Sequence, residues 1–96
     1  MAAYFLVEIE TVHAEEMAEY RAKVPPVVEA CGGRFLVRGG SSETLEGDWH
    51  PKRLVVLEFP DLATAKAFYD SEAYEPLKQM RLRAGNSKMV LVEGVS

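Results

Sequence analysis

The order of strand-like and helix-like segments is the feature of this chain that most restricts its fold. The spacing of apolar residues predicts strands at 3–10, 34–38, 53–59 and 88–93, and helical regions at 14–31, 62–70 and 74–84. This β-α-β-β-α-β order is that of the split βαβ arrangement. We therefore predict an α+β, ferredoxin-like subunit in which four strands form an antiparallel sheet with the helices on one face.

Proline and glycine are expected to interrupt this pattern at two places. Pro25 and Pro26 fall inside the first helical region, and proline removes a backbone donor and clashes with the preceding turn. A kink or a fresh helical start is therefore predicted there. The Gly85-Asn86 pair is predicted to separate the last helical region from the final strand.

The strands carry apolar residues on both faces, which is unusual for a sheet with one face in water. In the first strand Phe5, Val7 and Ile9 point one way, while Tyr4 and Leu6 point the other. Helices in a two-layer subunit cover only one face, and the other would expose an extended apolar patch. We therefore expect a homodimer with two-fold symmetry in which two copies pack sheet to sheet.

Length and charge restrict the other partners. The 96 residues suffice for one hydrophobic core, so a single domain over 1–96 is expected. The net charge of -4 and the lack of a basic stripe argue against a nucleic-acid partner. Neither a basic leader segment nor an apolar run of about 20 residues is present. No membrane partner is expected, and the predicted location is cytoplasmic.

The metal-ligating and phosphate-binding residue types are sparse. Cys31 is the only cysteine, and His13 and His50 have no ligand partners at the spacing of a metal site apart from Asp48, two residues before His50. The Gly39-Gly40 pair opens into Ser-Ser-Glu and is not followed by a helix, unlike a phosphate-binding loop. We therefore predict no metal site and no tightly bound cofactor, and we assign no catalytic residue.

Two arginines flank the long connection at residues 39–52 and form the first candidate site. Arg38 closes one predicted strand and Arg53 begins the next, so like charges are expected to lie near each other at the sheet end. A negative charge is then required. It is either an internal carboxylate, from Glu46 or Asp48, or the carboxylate of a small ligand held by two parallel hydrogen bonds.

Four further side chains are candidates for the same site. Trp49, the sole tryptophan, either covers the sheet edge or anchors the partner subunit, or else it lines a ligand cavity. Tyr20 and Tyr69 either belong to the core or face the cleft that helices and sheet enclose. Ser87, at the start of the last strand, is expected within reach of the cleft, although a turn role suits it better. The candidate ligand-binding set is Tyr20, Arg38, Trp49, Arg53, Tyr69 and Ser87.

Several short motifs carry a resemblance to a known family. They are Pro25-Pro26, Gly32-Gly33-Arg34-Phe35, Arg38-Gly39-Gly40, Leu45-Glu46-Gly47-Asp48-Trp49, Arg53-Leu54-Val55-Val56-Leu57-Glu58-Phe59-Pro60, Tyr69-Asp70-Ser71, and Tyr74 with Pro76-Leu77. Over nearly its whole length the chain resembles the bacterial domain-of-unknown-function family 1330 (DUF-1330), in the dimeric α+β barrel superfamily.

The resemblance implies a ferredoxin-like homodimer, but the superfamily covers several activities. Its members include small monooxygenases without bound cofactors, muconolactone isomerase, haem-dependent enzymes and stress-induced proteins, and a shared fold does not choose among them. Two functions stay open. One is a cofactor-independent enzyme or binder of a small aromatic or acidic molecule. The alternative is a non-catalytic dimeric module for assembly or protein interaction.

Overall fold

The computed structural model describes residues 1–95 as one four-stranded sheet and three helices. The strands are β1 (Ala3–Thr11), β2 (Arg34–Arg38), β3 (Leu54–Phe59) and β4 (Gly85–Glu93), and the helices are α1 (Ala14–Ala30), α2 (Leu62–Tyr69) and α3 (Glu75–Ala84). The strand order is β2-β3-β1-β4 and all pairs are antiparallel. The predicted α+β, ferredoxin-like fold is confirmed.

The helices cover one face of the sheet and leave the other uncovered. Phe5, Val7 and Ile9 of β1 are buried beneath the helices, and the Phe5 ring lies 5.7 Å from that of Phe59. On the opposite face the apolar side chain of Val90 is 58% exposed, although it lies in the middle of β4. We call this second surface the open face. The two apolar faces expected from the sequence are therefore both present.

Helix α1 is one helix from Ala14 to Ala30 that includes Pro25 and Pro26, so a fresh helical start does not occur there. Pro25 has no N–H, and the Arg21 carbonyl, four residues earlier, therefore loses its helical donor. The guanidinium of Arg38, on β2, donates a hydrogen bond to that carbonyl instead. A donor from outside the helix thus compensates for the missing N–H.

The expected break at Gly85-Asn86 is also absent, because both residues belong to β4. Gly85 pairs with Thr11 and has an extended backbone, with φ of -176°. A Cβ at position 85 would overlap the carbonyl oxygen of Glu10. The glycine therefore allows two backbones to approach closely, and α3 leads directly into β4.

A β-bulge in β2 determines which side of the sheet Arg38 occupies. Phe35 pairs with Leu57 and Arg38 with Val55, and the register shifts between them. Residues three apart on a regular strand point to opposite faces, but the bulge adds one residue and restores the same face. Since Leu57 and Val55 are buried, Phe35 and Arg38 both lie on the helix-covered side.

None of the helices within residues 1–95 has the length and apolar character needed to cross a membrane.

Candidate anion-binding cleft

A cleft opens between α1 and the strands β2 and β3, and three arginines line it. Its polar residues are Tyr20, Arg21, Arg38, Arg53 and Tyr74, and the rest of the wall is apolar. The enclosed part has a volume of about 30 Å³. That volume suits one small polar group, such as a water molecule or a carboxylate, and a larger ligand would extend into the open groove.

Arg38 is held in the cleft by contacts on two sides. Its guanidinium carbon lies 4.6 Å from the centre of the Phe35 ring, in a cation–π contact. On the other side it donates to the Arg21 carbonyl that Pro25 leaves without a helical donor. The bulge in β2 and the proline in α1 therefore act together to place this cation between helix and sheet.

Arg53 lies just before β3, and its side chain packs over Gly39. A Cβ at position 39 would be 2.7 Å from the guanidinium carbon of Arg53 and closer still to Nη1. Gly39 also has φ of +74°, in the left-handed region that favours glycine. Both the backbone conformation and the position of Arg53 depend on the missing side chain.

The positive charges in the cleft are not neutralised by protein carboxylates. Burial lowers the pKa of the Arg53 guanidinium, and the charges of Arg21 and Arg38 lower it further. Within residues 1–95, the ion pairs closer than 4.0 Å involve none of these three arginines. The cleft is therefore a concentration of positive charge in a chain whose net charge is negative.

The internal acids proposed from the sequence do not reach the arginines. Asp48 instead lies 3.7 Å from the imidazole of His50, and Glu46 is exposed on the same loop. Arg38 finds a backbone carbonyl rather than a carboxylate. In addition, no group of three or more His, Cys, Asp and Glu side chains in the described part of the chain is arranged to hold a metal ion.

A chain of hydrogen bonds runs from the cleft into the core. The hydroxyl oxygens of Tyr20 and Tyr74 are 3.1 Å apart, and Arg81 Nε donates to the Tyr74 hydroxyl at 3.3 Å. Arg81 also donates to the hydroxyl of Ser87 on β4. Ser87 is therefore linked to the cleft through the buried Arg81, rather than lining it directly.

Two of the predicted site residues lie elsewhere. Tyr69 lines a separate cavity of about 210 Å³ near α2, and the ammonium of Lys78 lies 3.9 Å from the centre of its ring. Trp49 lies on the other side of the sheet, where it lines a depression with Leu6 and Val90, and its Nε1 is 3.4 Å from a Glu8 carboxylate oxygen. Tyr20, Arg38 and Arg53 are the predicted residues that meet in one place.

Two functional candidates were missed by sequence reasoning, Arg21 and Arg81. Arg81 lies between Leu77 and Ala84 at helical spacing, on the buried side of α3. A charged residue inside an apolar stripe indicates a buried charge, and this signal is present in the sequence at Arg81. Arg21 follows Tyr20 at the edge of the apolar stripe of α1, and it has no comparable signal.

Sequence comparison places the chain in one family. The model of a family described as Domain of unknown function (DUF1330) matches residues 2–95. No curated protein is significantly similar to the chain.

Solved structures with the same fold include proteins with and without a described activity. RPA0582, a protein of unknown function from Rhodopseudomonas palustris, has a TM-score of 0.76 at 20% identity, covering 99% of this chain and 83% of that one. A dimeric ferredoxin-like protein of unknown function from Jannaschia sp. CCS1 has a TM-score of 0.73 at 16% identity, covering 98% and 100%. SnoaB, a cofactor-independent oxygenase from Streptomyces nogalater, has a TM-score of 0.60 at 11% identity, covering 99% and 92%. At these identities the likeness shows the fold alone.

Proposed function

The chain belongs to the DUF1330 family, and on that premise we propose that it binds a small organic carboxylate in the cleft between α1 and the sheet. The observation that carries this proposal is the meeting of Arg21, Arg38 and Arg53 in one cleft without a carboxylate partner in the described chain. Like charges held together cost free energy, and an anionic ligand would remove that cost.

The lining indicates an anion with an apolar body. Guanidinium groups bind carboxylates through parallel hydrogen bonds, and Arg38 already lies against an aromatic ring. Beside the arginines, the wall consists of side chains such as Val24, Phe35 and Val55. Short aromatic acids and medium-chain fatty acids combine these two properties.

The cleft supports orientation and charge stabilisation without a cofactor. Its lining in the described chain contains no imidazole, thiol or carboxylate that would remove a proton. Any reaction there would rest on the reactivity of the substrate itself, with the arginines stabilising negative charge as it develops. That is compatible with the fold shared with an enzyme described as a cofactor-independent oxygenase.

Thermal denaturation with a panel of carboxylates tests this proposal. Benzoate, phenylacetate and hexanoate should raise the melting temperature of the wild type by mass action, whereas the neutral benzamide should not. Arg53→Met should lose this response without losing apo stability, because it removes a repelled charge that has no protein partner. Arg83→Met removes the same charge from a surface pair with Glu16, 3.3 Å away, and should keep the response.

A carboxylate response that persists undiminished in Arg53→Met would contradict the assignment of the cleft. A wild type that responds to no carboxylate would contradict the function. A marked loss of apo stability in Arg53→Met would instead indicate that this side chain is a structural strut.

We also propose that the open face mediates self-association with a second copy of the chain, which is the alternative function as an assembly module. Exposed apolar side chains such as Leu6, Val90 and Val92 support it, because such a patch is unfavourable in water. The similar protein from Jannaschia is described as dimeric. The cleft and the open face lie on opposite sides of the sheet, so the two proposals are compatible.

A further inference from the structure

Arg81 is a buried cation with no carboxylate partner in the described chain. Its side chain is only 3% exposed, and its hydrogen bonds go to the hydroxyl groups of Tyr74 and Ser87. Burial lowers the pKa of Arg81, but its tyrosine neighbours more than offset this and the net direction is upward, so the group remains charged. A guanidinium has donors only, so both hydroxyl groups must accept hydrogen bonds from it.

This requirement fixes the direction of the hydrogen bond between the two tyrosines. Tyr74 is 1% exposed, and its oxygen accepts from Arg81, which cannot accept in return. The one other polar partner of the Tyr74 hydroxyl in residues 1–95 is Tyr20. The Tyr74 proton must therefore point to the Tyr20 oxygen, since otherwise a buried donor would remain unsatisfied.

The Tyr20 proton is then left without a protein acceptor. Tyr20 is 8% exposed, more than Tyr74, and it lines the cleft. Burial raises the pKa of the Tyr20 phenol, and interaction with Tyr74 raises it further, so the group stays protonated at neutral pH. The hydroxyl is consequently a donor available to the cleft, polarised by a buried cation two hydrogen bonds away.

We infer that Tyr20 donates a hydrogen bond to a second oxygen of the ligand, close to its carboxylate, with Tyr74 and Arg81 as positioning residues. This inference rests on the proposed binding of a carboxylate by the arginines. It narrows the ligand class to acids such as 2-oxo acids, in which an acceptor oxygen lies beside the carboxylate. The small enclosed volume, which Tyr20 lines together with Arg21, Arg38 and Arg53, favours such a compact head group.

Two matched probes test the inference, 2-oxo-4-phenylbutanoate and 4-phenylbutanoate, which differ only in the oxo oxygen. In calorimetric titrations the wild type should bind the oxo acid roughly three- to tenfold more tightly, as expected for one added hydrogen bond. Tyr20→Phe should abolish that preference while keeping the affinity for 4-phenylbutanoate. Tyr74→Phe should reduce the preference, because it removes the group that orients the Tyr20 hydroxyl.

Tyr4→Phe is the matched control, since it removes a tyrosine hydroxyl on the open face that donates to Glu58 at 3.1 Å. This variant should retain the full preference. A merely structural role of the tyrosine pair would change stability, but it would not change the ratio of the two affinities.

The outcomes separate this inference from the proposed function. If the wild type binds both probes equally and Arg53→Met binds neither, carboxylate binding is supported and the inferred role of Tyr20 is overturned. Equal weakening of both probes by Tyr20→Phe would show that Tyr20 contacts the carboxylate itself, which also overturns the inferred class. Binding of neither probe to the wild type would overturn both proposals. If Tyr20→Phe does not fold, the wild-type ratio and its change in Tyr74→Phe decide.

Discussion

Gly39 meets two structural requirements that its neighbour Gly40 does not share. It has a left-handed backbone conformation, and the space of its missing Cβ is filled by the Arg53 guanidinium. Gly39→Ala should lower the free energy of unfolding by about 1–2 kcal/mol and displace Arg53 from the cleft. Urea denaturation checks the first effect, and the carboxylate-induced melting shift checks the second.

Gly40→Ala is the control for this substitution. A Cβ at position 40 would meet no atom within 4 Å, so little change in stability or ligand response is expected. An equal loss of stability in the two alanine variants would show that the contact with Arg53 does not matter.

Glu58 is expected to contribute to the acid sensitivity of the fold. The hydrogen bond from Arg34, at 2.6 Å, lowers the pKa of Glu58, and the bond from Tyr4 lowers it further. A carboxyl group whose pKa is lower in the folded than in the unfolded protein stabilises the fold at pH values above its unfolded pKa. This contribution is lost as the pH falls through the folded pKa. The melting temperature of Glu58→Gln should therefore decrease less than that of wild type between about pH 5 and pH 3.

Glu43→Gln removes a glutamate from the exposed 39–53 loop and should keep the wild-type slope. The same slope in Glu58→Gln would mean that the pair with Arg34 does not contribute to folding.

At this scale the sequence identified the residues better than their partners. Arg38 and Arg53 were predicted to need a negative charge, but the first partner of Arg38 is a backbone carbonyl. That carbonyl is available because Pro25, thirteen residues before Arg38, lacks an N–H. A search for oppositely charged side chains does not find a backbone acceptor of this kind. Trp49 shares the loop of the arginines and is a candidate either for their cavity or for a contact with a partner subunit, and the loop places it on the open face.

At the scale of elements, Arg38 of β2 donates to a carbonyl of α1 that would ordinarily accept a hydrogen bond from within the helix. Pro26 also leaves a carbonyl without its helical donor, that of Ala22, but this residue is exposed to water. Pro26→Ala should therefore gain a new helical bond and relieve a steric contact, raising the free energy of unfolding by about 1–2 kcal/mol. Pro25→Ala should gain less, because its N–H would compete with Arg38 for a carbonyl that already has a donor.

Chemical denaturation of both variants measures this difference, and helix content from circular dichroism shows whether α1 is retained. An equal gain in the two variants would indicate that the Arg38 bond contributes nothing to the stability of α1.

Most elements were predicted because their periodicity is local. The strands and helices begin and end within about three residues of the expected positions, and β2 matches fully. The fresh helical start expected at Pro25-Pro26 and the break expected at Gly85-Asn86 are both absent, for one physical reason. In each case a contact from a distant element changes the local preference: Arg38 donates to α1, and the Glu10 backbone packs against Gly85.

At the scale of the whole molecule, the open face is expected to determine the oligomeric state. Light scattering at micromolar concentration should give twice the chain mass of 10.7 kDa. Val90→Lys, in the middle of β4, should shift the protein to monomer because it places a charge in the apolar contact. Trp49 fluorescence should change with this dissociation, since Trp49 lies on the same face.

Leu82→Lys is the matched control, because Leu82 is similarly exposed, at 51%, but lies on α3. This variant should remain dimeric. A stable wild-type monomer, or a dimer unaffected by Val90→Lys, would contradict association through the open face.

The bond between Arg38 and the Arg21 carbonyl also has a consequence for the evolution of the family. Pro25 removes the helical donor of the Arg21 carbonyl and Arg38 replaces it, so we expect these two positions to change together. A relative with a residue other than proline at position 25 would regain the helical donor and would no longer need arginine at position 38 for this carbonyl. Covariation of these two positions, thirteen apart in sequence and on different elements, is therefore expected among homologues.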